Sequence, residues 1–341
     1  MNIRLVIIFI FFLLGGVNMA QAATGACLPN TGSPYAYSFV FSPVLATTTD
    51  NQAGILKRNI YNWDLGGTFV ATCDCPTGSP DSVTYIKTEI PAGLPFDHDQ
   101  DGLHFYSLNS YLSIATEVYV GGAVNRTFPT PFEVSNGLTD KCANIRFSSG
   151  ATGSLSLYFI RPFVGQIVIP PTRVVNVYAS KYQGSYSATP MSYVTMSGTV
   201  TVPQSCDINA GQLVSVNLND ILSSSIKTKG AIPAGFAPRV VNFTLACNNI
   251  SQGITLQLSI KGESSSGDTT ALKTNNNDIG IRFLNGSGET VSLNDGRLPV
   301  TMNYAAQTGT STMSVAPVNV TGNEPNVGPF SATATINVEI Q

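Results

Sequence analysis

Two histidines and three aspartates crowd into one short stretch, Phe96-Asp-His-Asp-Gln-Asp-Gly-Leu-His-Phe105, and the chain holds no other histidine. Any reaction that needs an imidazole base must draw on His98 or His104. A serine nucleophile would also need a strained elbow such as G-x-S-x-G, which is absent, as are HExxH, GxxxxGK[ST] and GxGxxG. The chain is therefore expected not to be an enzyme. Asp97, Asp99, Asp101 and Gly102 spell the first half of a calcium loop, with hard oxygen ligands at alternate positions and a glycine for the turn. The acidic residue usual at the twelfth position is Leu108. Three readings stay open here: a solvated acidic turn, a calcium site on Asp97, Asp99 and Asp101, or a two-histidine transition-metal site. No cofactor is expected unless this loop takes calcium. A loop braced by it could hold His98, His104 and Phe105 for contact with a receptor.

A second candidate is the polar loop around Lys181-Tyr-Gln-Gly-Ser-Tyr186. Tyr182 and Tyr186 could stack on apolar sugar faces while Gln183 bonds hydroxyl groups. The plain alternative is an ordinary surface loop. Trp63, the only tryptophan, reads as a core or domain-interface residue more readily than as a sugar platform.

Something must position these residues, and the composition says it is strands. Charged residues make up only 11% of the chain, against 31 glycines and 20 prolines. No stretch keeps a helical apolar period, whereas short alternating segments recur: Tyr37–Phe41, Gly67–Cys73, Ser82–Lys87, Glu117–Val120 and Leu155–Ile160. A strand 166–170 is expected to stop at Pro170-Pro171, with another over 173–179. In the second half the same grammar returns at 213–218, 240–247, 254–260, 280–283, 300–304 and 313–320. The last stretch alternates without fault: Phe330, Ala332, Ala334, Ile336, Val338 and Ile340 are apolar, and the residues between them are polar.

The N-terminus has one positive charge, the apolar run Leu5–Val17 and the small residues around Ala20 and Ala22, which together describe a secretory signal peptide over 1–22. A net charge of −3, with no Lys/Arg cluster, excludes a nucleic-acid partner. Six cysteines follow the signal, an even count that implies disulfides in an oxidising compartment. Four precede residue 150 and two follow 200, so pairing should stay within each half. Cys73 and Cys75 point the same way about 7 Å apart along a strand, so each should reach elsewhere. Zinc is the competing use of such cysteines and suits reducing compartments better. A Ser-Gly step at 197–198 marks a hinge, giving domains over 23–197 and 198–341.

Thr199-Val-Thr-Val-Pro-Gln-Ser-Cys206-Asp-Ile resembles the opening of a chaperone–usher pilin domain, and Gly328-Pro-Phe-Ser-Ala-Thr-Ala resembles its close. A cysteine-bearing β domain precedes it instead of a short donor extension. Gly25-Ala-Cys27 and Asp64-Leu-Gly-Gly-Thr-Phe-Val-Ala-Thr-Cys73 resemble the mannose-binding tip lectin. The chain is thus similar to the two-domain tip adhesins of type 1 pili and long polar fimbriae.

The resemblance implies an all-β protein of two immunoglobulin-like sandwiches, the second an incomplete pilin domain lacking its last strand. It implies disulfides Cys206–Cys247, Cys27–Cys73 and Cys75–Cys142. It also implies these partners: a periplasmic chaperone, an outer-membrane usher, an adjacent subunit that donates a strand, and a host receptor or glycan. The chaperone or donor strand would contact Phe330, Ala332, Ala334, Ile336, Val338 and Ile340. The protein would pass through the periplasm to the fimbrium tip on the cell surface. Departures are informative. Ile340 stands where the family places a penultimate aromatic residue. Asp74-Cys75-Pro76 follows Cys73 where the mannose lectin has His-Asn-Asp, so Asp74 becomes a candidate ligand contact and mannose specificity is not carried over.

Overall fold

The computed structural model describes residues 24–341 except residue 46, so the expected signal segment lies outside the described residues. Strands dominate, with only two short 3-10 turns among the described residues, and no helix there is long and apolar enough to cross a membrane. Two main hydrophobic cores form without sharing a residue. The first draws on Cys27 to Val202, the second on Val241 to Val315 with the C-terminal strand packed against it.

The first unit has three sheets. Cys27–Pro29, Phe69–Cys73 and Ile145–Phe147 form the smallest. A five-stranded sheet runs in the order Phe132–Asp140, Ser82–Glu89, Gly165–Ser180, Ser192–Val202, Tyr35–Phe41. A six-stranded sheet runs Leu56–Asp64, Thr152–Phe159, Leu112–Val120, Leu103–Ser107, Phe96–Gln100, and Arg126–Pro129 adds to Leu112–Val120. Alternation explains the layers. In Tyr35–Phe41 the residues Tyr37, Phe39 and Phe41 are buried while the intervening ones are exposed. Trp63 is 2% exposed, stacks on Phe39 at 5.0 Å and donates its indole N–H to the Gly150 carbonyl at 3.1 Å. It is a core residue.

Two expectations change. Gly165–Ser180 is one continuous strand, because its register against Ser192–Val202 shifts between Ile169 and Thr172. Pro170 and Pro171 sit in that bulge, where a missing N–H interrupts no ladder bond. Ser197 and Gly198 are not in a turn: they lie inside strand Ser192–Val202, paired with Val40 and Phe41. Gly198 is required there because the backbones approach closely. A Cβ on it would stand 1.8 Å from the Phe41 carbonyl oxygen, and its φ is +149°. The chain leaves the first unit's sheets after Val202, at Pro203-Gln204.

In the second unit, Ser205–Ile208, Arg239–Asn248, Thr308–Asn319, Ile279–Leu284 and Leu272–Lys273 form the larger sheet, with Thr290–Val291 and Thr301–Asn303 on its flanks. Arg297–Pro299, Leu256–Lys261 and Thr335–Ile340 form the smaller. Residues 213–218, expected as a strand, form no ladder, and Leu213 is 98% exposed. A strand exists only with a neighbour to accept its hydrogen bonds. The three disulfides join Cys27 to Cys73, Cys75 to Cys142 and Cys206 to Cys247.

Candidate functional site

The C-terminal strand Thr335–Ile340 pairs on one side only, with Leu256–Lys261. Thr255 and Gln341 exchange both main-chain bonds, at 2.9 and 2.8 Å. Bonded and unbonded pairs alternate along an antiparallel ladder. The residues that bond inward are therefore Thr335, Asn337, Glu339 and Gln341. Ile336, Val338 and Ile340 turn their N–H and C=O groups to the open side, while their side chains pack against the second core. Strand Ser205–Ile208 likewise pairs only with Arg239–Asn248. Between these two edges lies an open groove of about 610 Å³, lined by Cys206, Asp207, Ile208 and Ile336 to Glu339.

Of the six apolar residues expected at this site, Ile336, Val338 and Ile340 belong to the strand. Phe330 and Ala334 precede it and pack on the core. Ala332 is exposed and outside both strand and core. Asp207 and Ile208 form the opposite wall, and no local signal beyond their place after Cys206 marks them in the sequence.

A second cluster gathers at the end of the first unit. Strand Gly165–Ser180 begins opposite Val202, beside the exit of the chain, and ends at Ser180, which is bridged to Ala26. At about 3.3 Å per residue its two ends stand about 50 Å apart. At the far end Gly25 donates to the Asp74 carbonyl at 2.5 Å, and Asp74 donates back to Ala26 at 2.9 Å. Tyr182 lies over Gly25, where a Cβ would meet its ring at 2.3 Å. Asp74, Tyr182 and Gln183 are exposed there.

Tyr186 is less available. Its hydroxyl donates to Glu133 at 2.8 Å, and Lys87 stands 5.3 Å from its ring. Burial, followed by the Glu133 carboxylate, pushes the Tyr186 phenol well above the ordinary tyrosine range. Buried Lys181 anchors the loop by donating to the carbonyls of Ser82 and Asp140, each at 2.8 Å, and desolvation lowers its ammonium pKa. Glu133 and Lys87 are neighbours of this loop that no sequence signal singles out, because they lie about 50 and 100 residues before it.

The acidic stretch resolves into a hairpin. Asp97 accepts from Ser113 at 2.6 Å and faces His98 at 3.0 Å; Asp99 faces His104 at 2.6 Å; Asp101 makes the turn, its φ +51°, and Arg58 donates to its carbonyl. The Asp97 and Asp99 carboxylates have separate partners, the Asp101 carboxylate has none among the described residues, and no metal-holding group of carboxylates, histidines and cysteines exists there. The expectation of calcium at Asp97, Asp99 and Asp101 does not fit this geometry. Nor does a two-histidine site, because His98 pairs with Phe105 and His104 with Asp99, which places the two rings on opposite faces of the hairpin. Phe105 is 0% exposed, covered by His98 stacked 5.0 Å away, so it cannot touch a receptor.

Residues 194–341 match the family model described as "Fimbrial protein". The chain is 28% identical over 340 residues to the "Probable minor fimbrial subunit LpfD" of Escherichia coli O157:H7, covering 97% of this chain and 96% of the relative. It is 28% identical over 330 residues to the "Type 1 fimbrin D-mannose specific adhesin" of Salmonella typhimurium, covering 88% and 95%. Among solved structures, the CupB6 tip adhesin of Pseudomonas aeruginosa aligns with a TM-score of 0.47 and 12% identity over 94% of this chain and 96% of that one.

Proposed function

We propose that this chain, a fimbrial subunit of the chaperone–usher type whose residues 194–341 form its fimbrial-protein domain, is the adhesive subunit at the tip of its pilus. It belongs among structural and adhesive subunits rather than enzymes, and such subunits are exported through the periplasm to the cell surface. The open groove carries the reading. Two unpaired sheet edges over a hydrophobic core fit an inserted strand, which supplies main-chain bonds on both sides and apolar side chains below. A periplasmic chaperone supplies that strand first, and the neighbouring subunit, delivered at the outer-membrane usher, supplies it later.

The first unit takes the place where an inner subunit would carry its own donor segment, which supports a subunit that accepts a strand at the end of the fibre. Its domain boundary falls at Pro203-Gln204, and its receptor-facing end is the cluster of Asp74, Tyr182 and Gln183. Host glycans are the receptor class that suits an aromatic ring beside an amide and a carboxylate. A second reading, a structural adaptor that binds other subunits through the first unit, has the name of one relative in its favour, a minor fimbrial subunit.

The test is to present residues 23–341, completed by a donor peptide, to host cells, a glycan array and the other subunits of the same pilus. Attachment to cells or glycans that falls in the Tyr182→Ala/Gln183→Ala variant is expected. Attachment to pilus subunits alone would establish the adaptor instead.

A further inference from the structure

The outward face of the six-stranded sheet carries a cleft of about 320 Å³ that neither the groove nor the far-end cluster uses. Its lining is Asn59, Asn62, Asp64, Glu117, Thr127, Thr152 and Ser154, with Trp63 and Gly153 at the floor. Register explains the grouping. Ser154 stands opposite Asn62 on one side and Glu117 on the other, and Thr152 stands opposite Asp64. One row of polar side chains therefore crosses three strands, about 10 Å from Asn62 to Glu117 at two strand spacings.

Asn59 joins the rim because the edge strand bulges there. Arg58, Asn59 and Ile60 together oppose Ser156, Asn59 adopts φ +49°, and its N–H is held by the Ser156 hydroxyl at 3.0 Å. Bulges of this kind re-aim side chains beside sites.

The side chains of Asn59, Asn62 and Thr127 donate and accept no hydrogen bond among the described residues. Asp64 and Glu117 receive only long bonds, from Thr152 and Ser154, each at 3.3 Å. The cleft is thus rich in free acceptors and amide donors. It holds no basic residue: Arg58 is turned to the Asp101 carbonyl at 2.8 Å, and Arg126 lies 4.4 Å over the Phe128 ring. Two carboxylates without a cation repel phosphate, sulfate and acidic sugars. With no exposed aromatic wall, it does not suit an apolar ligand either. Neighbouring hydroxyls on a neutral ring meet both needs, donating to Asp64 and Glu117 and accepting from Asn59 and Asn62. We propose that this cleft binds a neutral saccharide. The inference rests on the reading of the first unit as a glycan-binding adhesin, and adds a lateral site to its far end.

The probe is an array of neutral, sialylated and sulfated oligosaccharides, presented with the donor-completed mature chain. Exposed Asn62→Ala and isosteric Glu117→Gln are the variants, with Tyr182→Ala beside them. Binding of neutral glycans should fall at least tenfold in both cleft variants while their melting temperatures stay at the wild-type value. Neutral binding that survives both cleft variants and fails in Tyr182→Ala overturns the lateral site and leaves the adhesin reading standing. Binding confined to sialylated or sulfated glycans overturns the neutral class. If the wild type binds no glycan, the cleft proposal falls together with the glycan receptor class, and attachment to host cells then decides whether the adhesin reading stands.

Discussion

Replacing Val338 by proline separates the two jobs of the C-terminal strand. The three residues Ile336, Val338 and Ile340 present six main-chain groups to the open side, an N–H and a C=O each. At about 1 kcal/mol net per bond, this edge alone contributes about 6 kcal/mol to holding an inserted strand. Val338→Pro removes one outward N–H and leaves every bond to Leu256–Lys261 in place, so it should weaken donor binding about fivefold. Deleting Val338–Gln341 removes four of the six groups, about 4 kcal/mol, or close to a thousandfold in affinity. Asn337→Pro is the mirror experiment. The Asn337 N–H faces Ser259, so proline there should loosen the strand from its own sheet and lower the melting temperature of the completed chain. The assay is fluorescence anisotropy of a labelled peptide with alternating apolar residues, titrated with each variant. If Val338→Pro binds as tightly as wild type while Asn337→Pro melts normally, the assignment of inward and outward groups is wrong. A donor-free chain that is monomeric, melts cooperatively and does not respond to the peptide would falsify the open groove itself.

Two further outcomes test the frame. Gly198→Ala should destabilise the first unit by at least about 2 kcal/mol in chemical denaturation, because its Cβ would collide with the Phe41 carbonyl; a neutral result would restore the hinge. Burial of Asp268 would by itself raise its pKa, but hydrogen bonds from Thr270 and Arg282 and the charge of Arg282 hold it below the ordinary carboxylate range. A depressed folded pKa adds stability that is present above about pH 4 and lost as the pH falls towards the lowered value. Asp268→Asn should therefore flatten the acid limb of the second unit's stability profile, and an unchanged slope would count against the Arg282 pair.

Sequence alone went far where one residue's neighbours along the chain decide its fate. The buried triplet Tyr37, Phe39 and Phe41 and the half-buried Ile336, Val338 and Ile340, packed on the second core, are period-two signals that the fold bears out. It failed where the partner strand decides. Residues 213–218 have the apolar pattern but no neighbour, and Pro170-Pro171 is tolerated only because the opposite strand skips a step. Asp97, Asp99 and Asp101 have loop-like spacing, yet the hairpin turns Asp97 to Ser113 and His98 and Asp99 to His104, and puts Asp101 in its turn. The lateral cleft was invisible for a related reason. Asn62, Ser154 and Glu117 are each ordinary outward residues on their own strands, and only register sets them side by side.

The long strand Gly165–Ser180 has a mechanical consequence. If the first unit grips a surface by its far end, as proposed above, a fibre dragged by flow pulls it along the line from Ser180 to Val202. That line runs parallel to the strand and to its partner Ser192–Val202, whose ten paired residues cover about 33 Å of it. Tension along the strand axis loads those ladder bonds side by side in shear, so none can break until nearly all yield. A pull across the strands would open them one at a time, like a zip. On that reading, the direction in which the chain leaves its first unit sets how much load an attachment would bear.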